Sequence, residues 1–195
     1  MKHENEILLR RADGATLLDP RVVRLAILTT IAALLLDFAT KSWAIDSLNG
    51  TTPFGALLLG IEHNAAFAFS AGAGLVSREL VAGVRLGALA ALVLLATVLG
   101  VRERRHAAGV GLILGGGLGN TGDLIFRTHG VVDFIGVGPF EVDFGGRDVV
   151  FGLVFNAADV AVLVGVVLLT PVIQLWAIAA QTQLARARRW LNGQT

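Results

Sequence analysis

Apolar residues in this chain run far longer than a strand or one helix face requires, at about residues 22–44, 80–101, 107–126 and 150–180. At about 1.5 Å of rise per residue, some 20 such residues cross a hydrocarbon core of about 30 Å, so each run predicts a transmembrane helix. The first, Val22 to Ala44, is broken by Arg24, Asp37 and Lys41, and only the fourth has a long charge-free stretch. Basic residues ahead of an apolar run also suit a signal peptide, but the run is long for one and carries embedded charges. Two loops remain, 45–79 and 128–149. The first holds Thr51-Thr52-Pro53-Phe54-Gly55 and the alternating Ala66-Phe67-Ala68-Phe69; the second mixes Gly130, Gly136, Gly138, Pro139, Gly145 and Gly146 with Val131, Val132, Phe134, Ile135 and Val137. Short strands are expected in the first and strand, turn, strand in the second. The expected architecture is an all-α membrane protein: a four-transmembrane-helix bundle forming one domain over residues 1–195, with a small extracytoplasmic β platform.

Composition agrees with that class. Of 195 residues, 54% are hydrophobic and 16% charged, a balance unlike that of a soluble domain. The 24 glycines suit close helix contact in lipid, and Gly111, Gly115 and Gly119 recur at every fourth position. With no cysteine, disulfides, thiolate metal sites and cysteine nucleophiles are excluded. The net charge of +1 says little, because position matters more than total. Lys2, Arg10, Arg11, Arg21 and Arg24, then Arg102, Arg104 and Arg105, then Arg186, Arg188 and Arg189 fall on stretches that share one side of the membrane. Both termini are therefore expected in the cytoplasm, with the two loops outside. The terminal arginines already serve orientation and attraction to the lipid surface, so no nucleic-acid partner is inferred.

An ionisable group in a spanning helix costs at least about 2.5 kcal/mol and needs a partner or a task. Asp37 and Lys41 lie i, i+4 on one face and can pair. Asn120 and Asp123 lie i, i+3, and Asn156 and Asp159 repeat that spacing. Counted from the cytoplasmic charges, all of them fall near the outer ends of their helices. Asp133, flanked by Val131, Val132, Phe134 and Ile135, belongs to the outer loop and can hang over the same site. Two carboxylates in a low-dielectric pocket cannot both ionise easily, so one keeps a proton and acid and base coexist near neutral pH. That suits water activation against a peptide carbonyl. None of the four serines sits in a Gly-x-Ser-x-Gly elbow, no His-Glu-x-x-His occurs, and His3, His63, His106 and His129 are scattered. The run Gly115-Gly116-Gly117-Leu118-Gly119 lies inside a span and reads as helix contact rather than a phosphate loop. Carboxylates alone also suit a metal or a proton relay, which keeps a small proton-coupled transporter level with a protease.

The ordered motifs break that parity. Asp37-Phe38-Ala39-Thr40-Lys41 resembles Asp-x-x-Thr-Lys, and Glu62 to Phe69 resembles Asn-x-Gly-Ala-Ala-Phe. Gly116 to Asp123 resembles Gly-Gly-x-x-Gly-Asn-x-x-Asp-Arg, followed by Val131-Val132-Asp133-Phe134; Phe155-Asn156-Ala157-Ala158-Asp159 resembles Phe-Asn-x-Ala-Asp. Together they resemble the lipoprotein signal peptidase (signal peptidase II) family. The resemblance implies a multi-pass aspartic endopeptidase of the bacterial inner membrane, cutting the signal peptide from a diacylglyceryl-modified prolipoprotein near the periplasmic face. It implies no metal or organic cofactor, Asp133 and Asp159 as the catalytic pair, Asn64, Asn120, Asp123 and Asn156 as residues that shape the site, and Asp37 and Lys41 as supports. Leu124 departs from the pattern by standing where arginine is usual, and Arg127, one turn on, is the candidate replacement. A divergent or inactive homologue, or a protein that binds lipoproteins without cutting them, is the alternative.

Overall fold

A computed structural model of the protein describes residues 19–55, 57–64, 76–98, 101, 103–143, 148–171 and 181. Among the described residues four helices carry it: α1 (Pro20–Ser47), α2 (Arg78–Val98), α3 (Arg104–Phe126) and α4 (Ala157–Pro171). Helix α1 starts where a sequence should start one, with Pro20 in the first turn and the Asp19 carboxylate accepting from the Arg21 N–H at 2.8 Å. Helices α1 and α2 are long and apolar enough to cross a membrane. Their outward surfaces are greasy: Leu35, Phe38, Leu94 and Val98 are all more than 60% exposed, as are Leu163 on α4 and Phe126 on α3. Such a coat is untenable in water and suits contact with lipid.

Helix α3 is the hub, and its glycines make it so. A β-carbon at Gly115 would lie 2.5 Å from the Thr30 carbonyl and 2.6 Å from Ala33 Cβ, both on α1. At Gly117 it would lie 2.7 Å from Leu89 on α2, and at Gly116 it would strike the Ala158 carbonyl on α4. Three consecutive glycines thus admit three different helices. Gly111 and Gly119 extend the α1 contact one turn either way, against Thr29 and Asp37. Backbone approach this close gains van der Waals contact where lipid leaves no hydrophobic drive between helices.

The two expected outer loops merge into one antiparallel sheet, in the order β1 (Thr52–Phe54), β2 (Leu57–Asn64), β3 (Val131–Asp143) and β4 (Asp148–Phe155). Its central pairing sets Asn64 opposite Val131, Glu62 opposite Asp133 and Leu57 opposite Val137. Gly130, at φ 96, turns the chain into β3, and Gly138, at φ 115, sits where the β3–β4 register shifts. Arg78, at the start of α2, donates to the carbonyls of Leu124 (2.7 Å), Thr128 (2.8 Å) and Arg127. A guanidinium therefore closes the C-terminal end of α3, where unpaired carbonyls concentrate negative charge.

One boundary is corrected. The fourth apolar run does not begin a helix near residue 150: residues 148–155 are strand β4, and helix starts at Ala157. The run Val149-Val150-Phe151 with Val154-Phe155 is β-branched and aromatic, and as the edge strand it pairs along one side with β3 before Asn156 ends the strand. Helix α1 also runs to Ser47 and α3 starts at Arg104, each slightly longer than its apolar run. The Ala66–Phe69 alternation, the end of the fourth run near residue 180 and the basic clusters at 2–11 and 186–189 lie outside the described residues.

Gly115→Ala should cost about 1–3 kcal/mol through overpacking. Gly122→Ala, where a β-carbon meets nothing within 4 Å, should be neutral or stabilising by up to about 1 kcal/mol. Thermal midpoints of the two variants in detergent check the contrast; equal midpoints would refute the packing account.

Candidate active site

Asp37 and Lys41 face inward one turn apart on α1, each under 3% exposed. Their ion pair, Nζ to Oδ2, is 2.7 Å long. The ammonium does more than satisfy its own helix: it also donates to Asn120 Oδ1 at 2.8 Å and lies 2.8 Å from Asp123 Oδ2. The other oxygen of Asp37 accepts from the Ala158 N–H at 3.1 Å, in the first turn of α4. A carboxylate at that place answers both an orphan amide and the positive end of the helix dipole.

Asn156 and Asp159 form the start of α4 as a reciprocal cap. The Asn156 side-chain oxygen accepts from the Asp159 N–H at 3.1 Å, and Asp159 Oδ2 accepts from the Asn156 N–H at 3.0 Å. This is the capping-box geometry with aspartate as the third-residue acid, so the i, i+3 spacing has a local cause. Asp159 Oδ1 is left to accept from Asn120 Nδ2 at 2.9 Å. The Asn156 amide, fully buried, points the opposite way: Nδ2 reaches Asp133 Oδ1 (2.6 Å), Asn120 Oδ1 (3.0 Å) and the Val132 carbonyl (3.2 Å).

Strand β3 brings in Asp133. Val131, Val132 and Phe134 around it are all buried, and Val132 N–H is anchored to Asp123 Oδ2 at 3.3 Å. Asn64, across the β2–β3 ladder, supplies a side-chain hydrogen bond to the Asp133 carboxyl. Burial, then the negative charge of Asp159, push the Asp133 carboxyl up to about 7, against the opposing pull of Asn156, Lys41 and Asn64. Asp133 and Asp159 therefore sit close enough to feel each other, joined through one asparagine. An acid that holds its proton near neutrality beside a second carboxyl has the chemistry that general acid and general base work requires.

Asp37, Lys41, Asn64, Asn120, Asp123, Asp133, Asn156 and Asp159 thus join one network. Arg127 behaves differently: its Nε donates to Asp123 Oδ1 at 2.6 Å, so it extends the network at the rim. Leu124 is buried with Val81, Ala82 and Val131 in an apolar cluster. Two arginines were not singled out from the sequence. Arg78 clamps the end of α3, and Arg85, within α2, interacts electrostatically with both Asp159 and Asp133. A lone arginine inside an apolar run was the available signal for Arg85.

A family model described as signal peptidase (SPase) II matches residues 29–175. The chain is 36% identical over 154 residues to a lipoprotein signal peptidase of Rhodopseudomonas palustris strain TIE-1, covering 75% of this chain and 90% of that protein. Against the lipoprotein signal peptidase of Dichelobacter nodosus it is 33% identical over 149 residues, covering 73% and 88%. Two solved structures of bacterial membrane enzymes, determined in meso at 2.3 Å and 1.9 Å, superpose with a TM-score of 0.60 each. At 22% and 23% identity, over 76% of this chain and 87% and 91% of theirs, they share its fold.

Lys41→Met should cost about 3–5 kcal/mol, because it strands Asp37 as an uncompensated buried charge and leaves Asp123 with Arg127 alone; thermal unfolding in detergent measures it. The Asp133 carboxyl, at about 7 when folded against 3.8 as its ordinary value, makes the folded state bind the extra proton between those values. Its contribution to stability is therefore greatest below about pH 4, declines as pH rises and is gone above about 7. The slope between pH 5 and 7 should flatten in Asp133→Asn, and an unchanged slope would contradict the assignment.

Proposed function

The chain belongs to the signal peptidase II family, and on that premise we propose that it is an aspartic endopeptidase removing signal peptides from diacylglyceryl-modified prolipoproteins. The observation that carries this reading is the pairing of Asp133, held protonated near neutrality, with Asp159. No residue is assigned to a metal or organic cofactor.

In the proposed reaction a water lies between the two carboxyl groups. Asp159, acting as carboxylate, takes a proton from that water as its oxygen attacks the scissile carbonyl carbon. Asp133 gives its proton to the carbonyl oxygen, and a tetrahedral gem-diol forms without a covalent enzyme intermediate. Proton transfer to the amide nitrogen then lets the C–N bond break, leaving a new carboxyl and a new amine. Asn156 donates to Asp133 Oδ1 and Asn64 also bonds the Asp133 carboxyl, so both orient the acid. Asn120, fixed by Lys41, and the Asn156 N–H hold both oxygens of Asp159. Asn64, Asp123 and Asp37 support these donors, and Arg127 steadies Asp123.

The proposed setting is one domain that spans the inner membrane four times, with both termini cytoplasmic and the sheet on the periplasmic side. A substrate anchored by two acyl chains lies in the outer leaflet, with its scissile bond near the surface where β3 meets α4. Membrane lipid is the second partner, and no nucleic acid is involved. Exposed apolar side chains on α1, α2 and α4 support this placement.

Incubation of the purified protein with a diacylglyceryl-modified prolipoprotein should give a mobility shift, and Asp133→Asn or Asp159→Asn should lower the rate by at least about 10³ while leaving the protein inserted. Normal processing by either variant would remove the pair from the chemistry. Release of the peptide uncut would indicate binding without cleavage, and proton flux in liposomes without cleavage would indicate a transporter. Cleavage should fall as pH rises through about 7, where Asp133 loses its proton.

A further inference from the structure

Arg85 stands seven residues into α2, about 10 Å along the helix from Arg78, inside an otherwise apolar segment. A charge there is expensive unless it is directed at a partner. Helical spacing puts Val81, Ala82, Arg85 and Leu89 on one face. Val81 and Ala82 pack on Leu124 and Val131, and Leu89 fills the notch at Gly117. Arg85 is thereby fixed between two packed layers, one at Leu124 and one at Gly117 of α3. Its Nη1 is buried, and its charge acts on Asp159 and Asp133.

The charges of the site show what this adds. On α1 stand Asp37 and Lys41, on α3 Asp123 with Arg127, on β3 Asp133 and on α4 Asp159. Glu62, opposite Asp133 on β2, is exposed to solvent and screened. Lys41 and Arg127 are bonded to Asp37 and Asp123, so the pull of Lys41 on Asp133 is shared with two other carboxylates, and α2 supplies the further cation that acts on the pair. With Arg85 and a single proton on the pair, the buried cluster is neutral.

We propose that Arg85 is a positioning residue that holds the Asp133 and Asp159 pair in its singly protonated form. This rests on the proteolytic reading for its effect on rate, but not for its effect on charge. Arginine suits the role since it stays charged in a buried setting.

The test compares wild type, Arg85→Gln and Arg85→Lys in detergent, by prolipoprotein cleavage from pH 5 to 9 and by infrared titration of the protonated carboxyl band, with Asp133→Asn to assign that band. Removing the cation favours protonated carboxyls, so Arg85→Gln should move both limbs of the rate profile and the carboxyl midpoint to higher pH by about one unit. At the wild-type optimum kcat should fall about tenfold with KM within about twofold. Arg85→Lys should keep the wild-type limbs. A loss of rate in Arg85→Gln with unmoved limbs and midpoint, or an Arg85→Lys profile displaced as far as the glutamine one, would overturn the proposal. A displaced midpoint in a protein that cleaves at no pH would uphold the role of Arg85 and sink the proteolytic reading instead.

Discussion

The ammonium of Lys41 sits 2.7 Å from Asp37, 2.8 Å from Asn120 and 2.8 Å from Asp123, with 1% of its surface exposed. A cation so deeply placed is tolerable because its three partners fill its three donors, and because each partner is held by something else. Asp37 is tied to the first turn of α4, Asn120 to Asp159 and Asp123 to both Arg127 and the backbone of β3. Through these second contacts one charge on α1 orders α3, α4 and the sheet. The carboxyl pair is oriented at one remove: Asn120 accepts from Lys41 and Asn156, which fixes its amide to donate to Asp159.

Such a network needs backbones close enough for short polar side chains to meet, and α3 provides this by dispensing with side chains. Gly119 is the point where packing and chemistry coincide, since a β-carbon there would strike the Asp37 carboxylate. Glycine is an unfavourable helix residue by about 1 kcal/mol, a cost offset here by contact with three neighbouring helices. The interior of the bundle is consequently small and polar at one end while large apolar residues are turned outward. That inversion of the soluble pattern lets lipid rather than water cover the surface.

How much of this was legible depends on whether a signal was local. The pairs Asp37 with Lys41 and Asn156 with Asp159 announce themselves through helical spacing, and the second pair even specifies its own cap. Gly111, Gly115 and Gly119 foretold one tight helix face, and α1 is the helix that meets it. By contrast, the apolar run from residue 150 reads as helix although residues 150–155 are strand, because a short strand and a buried helix both appear as unbroken apolar residues. Arg78 and Arg85 were passed over since nothing next to them in the chain reveals what they face. Their partners lie 46 or more residues away, on α3 and the turn after it, β3 and α4.

By itself the sequence determined that this chain belongs in a membrane, that costly polar groups recur at helical spacing within its apolar runs, and which residue types are available for acid and base work. Hydropathy and helical periodicity are properties of short windows, so the chain carries them without being folded. Only the tertiary structure decided that Lys41 serves three partners rather than one, that Asn156 links Asp133 to Asp159, and that α2 holds a partly buried arginine within electrostatic reach of both. Those outcomes depend on distances between segments far apart in the chain, and in a medium of low dielectric such distances govern whether a charge is stabilised, neutralised by a proton or excluded.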